Sequence, residues 1–130
     1  DFVQTERVGT FLDGSVRLIE GRAYLPDGSV AINVLAVVSH DAQSGNFTVT
    51  SWAMGQRFTF PLRATADGFV SEVPAEAGAI IRYTATFRDG VWREIGEHIA
   101  GDAAPVQVFE MNLRRVGDTA WPAADPVPPR

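Results

Sequence analysis

Glu20, Arg82, Glu94 and Glu110 stand in segments that otherwise alternate apolar and polar residues. Carboxylates on neighbouring strands can work as acid and base when burial and like charge drive their pKa values apart. An arginine in the same enclosure would pair with them or with an acidic group on a ligand. Trp52, Phe58, Phe60 and Trp92 occur in similar segments and offer apolar wall. Together these eight residues describe a ligand-binding enclosure, with Glu94 or Glu110 as the candidate base. The alternative leaves the charges in water, where each cross-strand ion pair contributes only ~0.2–1 kcal/mol.

Other chemistries find less support. His40 and His98 are the only histidines, and neither has further ligands at a telling spacing, so no metal site is expected. Ser39-His40-Asp41 holds the three residue types of a catalytic triad, but neighbours on one extended strand cannot converge on one point. The chain has no cysteine, which excludes disulfides and thiolate nucleophiles and leaves the compartment open. Glycine-rich phosphate loops and dinucleotide fingerprints are missing, and no cofactor is expected. All eleven basic residues are arginine and the net charge is −5, a balance that argues against a nucleic-acid or anionic-membrane surface. No apolar run approaches the ~20 residues of a spanning helix.

The elements that must position the candidates follow from turn chemistry. Asp13-Gly14, Asp27-Gly28, Ser44-Gly45, Asp67-Gly68 and Asp89-Gly90 separate alternating runs, and such pairs supply the positive φ of tight hairpin turns. Nine strands are predicted: 2–11, 15–25, 30–39, 46–54, 56–63, 69–73, 79–88, 91–98 and 106–115. Period two dominates, and no window carries a helical stripe. The fold class is therefore all-β, an antiparallel up-and-down meander of about nine strands. Closure into a barrel would remove its two long edges. Residues 1–116 form the expected barrel domain and residues 117–130 a Pro-rich extended tail. Trp121 is a candidate anchor for that tail, with a frayed terminus as the alternative. Pro61 is the only proline to interrupt a strand and marks a bulge or an edge.

Parity along the strands groups Arg82, Thr84 and Thr86 with Trp92, Glu94, Glu110 and Asn112, against Ile81, Tyr83, Phe87, Ile95, Phe109, Met111 and Leu113. Either face could point inward. The third strand is apolar on both sides, with Val34, Ala36 and Val38 against Leu35 and Val37. A barrel wall with an apolar outside needs cover, and a homodimer is the simplest expectation, the terminal segments being the alternative.

Phe11-Leu12-Asp13-Gly14, Ile19-Glu20-Gly21-Arg22, Ile81-Arg82-Tyr83-Thr84, Trp92-Arg93-Glu94-Ile95-Gly96-Glu97 and Phe109-Glu110-Met111-Asn112-Leu113-Arg114-Arg115 are similar to an uncharacterised bacterial family of small lipocalin-like (calycin-type) β-barrel proteins. The resemblance runs to about Arg115. It implies a barrel with a cavity, a setting that in related folds mostly holds small hydrophobic ligands and in a few cases binds haem or catalyses cyclisation or isomerisation. The leading expectation is a protein that holds a small hydrophobic or amphipathic ligand in its interior, without nucleic acid or membrane as partner. An isomerase or cyclase using a cavity carboxylate and a non-catalytic interaction module are the alternatives.

Overall fold

The chain folds, in a computed structural model that describes residues 1–122 and 127–129, as one nine-stranded antiparallel sheet in strict sequence order. The strands are β1 (Val3–Phe11), β2 (Val16–Tyr24), β3 (Val30–His40), β4 (Phe47–Ala53), β5 (Gln56–Ala64), β6 (Gly68–Pro74), β7 (Ile80–Arg88), β8 (Val91–Ile99) and β9 (Val106–Arg114). The sheet curls until β9 approaches β1, but no ladder joins them, so the barrel is nearly closed. The architecture is compatible with a calycin-like fold. Two single-turn 3-10 segments, Leu12–Gly14 and Glu76–Gly78, are the only helical pieces among the described residues. The extended proline-rich tail expected from the sequence includes residues 123–126 and 130, which lie outside the described residues.

Turn chemistry explains most of the register. Asp89 and Gly90 have φ of 51° and 73°, the doubly positive pattern of a tight hairpin turn, and they set Arg88 opposite Val91. Asp27 takes hydrogen bonds from the Ser29 backbone N–H and hydroxyl, and Asp41 does the same for Gln43 and Ser44, holding the loops before β3 and β4. Two hairpins lack any Asx signal: Met54-Gly55 and Ala77-Gly78 adopt the same doubly positive φ. Asp67-Gly68 differs from the sequence expectation. Gly68 opens β6 without a positive φ, and the glycine is required because a Cβ there would overlap the Ala85 carbonyl oxygen.

The inner face identifies itself by burial. Ala23, Val49, Ser71, Ala85 and Met111 are buried, and pairing register with strand pleat puts all five on one side of the sheet. Phe47, Phe58, Phe60, Leu62, Phe69, Tyr83, Phe87, Trp92, Phe109 and Leu113 share that side. Yet no large side chain is completely buried, and Phe58 and Phe87 keep 39% and 48% of their surface exposed. The aromatic side chains of the inner face therefore stay partly in contact with solvent. The wall is also thin at one place. β5 pairs with β6 only over Leu62–Ala64, and Pro61, with no N–H to donate, stands where that ladder stops. Phe58 and Phe60 lie on β5 beyond the end of that ladder.

Replacing Gly68 with alanine sets a methyl group against backbone rather than against a movable side chain. Gly68→Ala is expected to lower the urea midpoint by an equivalent of about 1–3 kcal/mol with an unchanged slope; an unaltered midpoint would contradict the close β6–β7 approach.

Candidate functional site

The two-residue turn at Asp89-Gly90 pairs odd-numbered residues of β7 with even-numbered residues of β8, and the β8–β9 hairpin switches parity again. Glu94 therefore lies opposite Ala85 on one side and Met111 on the other, and Trp92 lies between Phe87 and Leu113. Both belong to the apolar inner face. Arg82 and Glu110 belong to the outer one. The sequence grouping of Arg82 and Glu110 with Trp92 and Glu94 is corrected by this register, because residue parity does not carry across a two-residue turn.

The eight candidates thus divide evenly. Phe58, Phe60, Trp92 and Glu94 line the interior. Arg82 donates from Nε to Glu72 on β6 at 2.8 Å, on the outside. Glu110, also outside, accepts from Asn112 Nδ2, Arg93 Nη2 and Gln107 Nε2, and these donors hold its carboxyl below the usual range. Glu20 faces outward, gripped by Arg7 through two bonds of 3.1 and 3.0 Å, which likewise lower its pKa. Trp52 lies outside beside Leu35 and Arg57 and is 44% exposed. His40 packs against Phe47 at the end of β3, with ring centres 5.0 Å apart. Among the described residues no three histidine, aspartate or glutamate side chains gather as a metal site would require.

What the interior holds in place of an Arg–Glu network is a pair of carboxyls. The Trp92 indole N–H donates to Glu94 Oε2 at 3.2 Å, and burial pushes the Glu94 pKa up to about 7 against that bond, with the Glu6 charge adding to the rise. Glu6, inward on β1, accepts from Gln4 Nε2 at 2.6 Å, and burial raises its pKa as well. Neither carboxyl makes an ion pair among the described residues. Tyr83 closes the group: burial first, then the Glu94 charge, raises its phenol pKa. The Phe69, Phe87 and Trp92 rings pack together nearby, and the Tyr83 and Phe109 rings meet edge to face.

Glycines give these side chains room. A Cβ on Gly21 would come within 2.5 Å of Glu6 Oε1, and one on Gly96 within 2.9 Å of Phe109 Cβ and 3.0 Å of the Tyr83 ring. Glu6 escaped the sequence reading because Val3–Arg7 shows no apolar alternation. The one available signal was Gly21, a strand glycine that makes space for a neighbour's side chain.

Two depressions lie outside the barrel. One of about 300 Å³ is lined by Thr5, Glu6, Arg7, Glu20, Arg22 and Tyr24; Arg7 and Arg22 both pair with Glu20 there, while Arg22 Nε is buried without a hydrogen-bond partner among the described residues. The other, of about 330 Å³, separates β1 from the tail at Thr119–Pro122. Glu94 and Trp92 line neither. Comparison of the chain with protein-family models, curated proteins and solved structures finds no match.

The raised Glu94 pKa has a sign that can be measured. A carboxyl with a higher pKa folded than unfolded stabilises the native state fully below its unfolded value and loses that contribution as pH rises through the folded value. Wild-type stability minus that of Glu94→Gln should therefore fall, by roughly 1–3 kcal/mol, between about pH 4.5 and pH 7. Denaturant melts across that range check it, and a flat difference would mean that Glu94 is solvated.

Proposed function

We propose that this protein binds a small, partly apolar molecule inside its barrel. The observation that carries the reading is an aromatic inner face that stays partly exposed, with one protonatable carboxyl set into it. Pockets for small ligands combine such a wall with few orienting polar groups. The Phe58–Phe60 side of the wall, beside the interrupted β5–β6 ladder, is the natural entrance. Calycin-type relationship would suit the same reading. Charged side chains around the outside, among them Arg7, Glu72, Arg82 and Arg93, favour a barrel whose outside meets water rather than lipid.

The polar chemistry of the interior sets the ligand type. Arg82, bonded to Glu72 on the outside, does not reach a ligand held in the interior. Glu94 and Glu6 instead favour a ligand whose polar end donates hydrogen bonds, such as a hydroxyl or an amine, with its hydrocarbon part against Tyr83, Trp92 and Phe109. Octylamine and octanol serve as probes in calorimetric titrations. Both are expected to bind wild type, and Glu94→Gln should weaken the amine about tenfold, ~1.4 kcal/mol, while leaving the alcohol nearly unchanged. Absence of heat from either probe at millimolar concentration would count against the reading.

An isomerase or cyclase is the second reading, favoured by one observation: a carboxyl with a pKa near 7 suits a general acid or base at neutral pH. Partnership with a second copy of the chain is also proposed. Leu35 and Val37 face outward beside Trp52, and Trp121 and Pro122 pack on Gly9 of β1 rather than on this row. Sedimentation equilibrium at micromolar concentration should give twice the 14.1 kDa chain mass, and Leu35→Glu should return it to the monomer value; a monomeric wild type would sink the dimer.

A further inference from the structure

The edges of β1 and β9 face each other without a ladder, since β1 pairs only with β2 and β9 only with β8. The chain that leaves β9 crosses this seam on the outside. Its first residue is fixed to the β8 hairpin, where the Arg115 N–H donates to the Gly90 carbonyl at 2.8 Å, and the Arg115 side chain pairs with Asp118. Its far end is fixed to β1. Gly9 has no room for a Cβ, because Pro122 Cδ and the Trp121 carbonyl oxygen occupy that space. The Arg7 guanidinium carbon stands 4.4 Å from the centre of the Trp121 ring, while the same guanidinium is held by Glu20 on β2. The Trp121 N–H donates to Thr119 Oγ1 at 3.1 Å, shaping the bend. Between the two anchors residues 115–120 are exposed, whereas Trp121 and Pro122 are half-buried.

This geometry points to a strap: residues 115–122 hold β1 against β9 in place of the ladder the barrel lacks, and their release opens the seam beside Glu6. Two features are tuned to it. Gly9 lies in mid-strand, where glycine weakens a strand unless another part of the chain must come close. Arg7 is shared between Glu20 and the indole, so the anchor is tied to two strands at once. A strap that spans an unpaired seam controls the opening of one edge strand and leaves the rest of the sheet intact, as local unfolding does elsewhere. The inference does not rest on the ligand reading.

Hydrogen exchange of the full chain, followed by mass spectrometry, tests it. Trp121→Ala should speed exchange of peptides covering β1 about fivefold or more, with β4 to β7 unchanged, and Trp121→Phe should restore most of the protection. Gly9→Val, which crowds the docking place with the tail intact, should reproduce the β1 effect, and it carries the test if Trp121→Ala does not fold. Unchanged β1 exchange in either variant, or equal acceleration of every strand, would overturn the strap.

Discussion

Everything in this structure depends on how a nine-stranded meander hides its edges. An antiparallel sheet of this length exposes two rows of unpaired backbone groups unless it curls, and the twist of the strands supplies the curl. Here closure stops one ladder short. Small residues at the close approaches, Gly21, Gly68, Ala85 and Gly96, let neighbouring strands and side chains come together. The large inward residues are only partly buried. Curvature thus produces both a partly exposed aromatic inner face and a seam.

The same constraint explains the electrostatics. Several outward charges find partners on adjacent strands, as Arg7 does with Glu20, Arg82 with Glu72 and Arg93 with Glu110, and they stay partly in water. Such pairs contribute little stability. Glu94 and Glu6 sit on the other side of the sheet, where burial disfavours charge and, among the described residues, no arginine pairs with them. Position relative to the sheet, rather than residue type, separates structural charges from those able to do chemistry.

Much of the architecture was legible because turns and period-two alternation are local properties. Asp89-Gly90 and Asp27-Gly28 announced hairpins, and the strands fall close to their predicted limits. The site was only half legible. Assigning a face to Glu94 requires the register of its hairpin, and one residue of turn length reverses the answer. The polar segment around Glu6 carries no hydrophobic pattern, so its inward side chain could be found only from the strand opposite. Met54-Gly55 and Ala77-Gly78 turn without an Asx residue, yet the breaks between the expected strands 46–54 and 56–63 and between 69–73 and 79–88 already stand at them.

Mapping amide and methyl NMR shifts during titration with octylamine tests the central claim, that the partly exposed inner face is where a ligand goes. The account predicts saturable shifts at Phe60, Tyr83, Trp92, Glu94 and Met111, whose side chains share that face. Shifts confined to Leu35, Trp52 and Arg57 on the outside would contradict it.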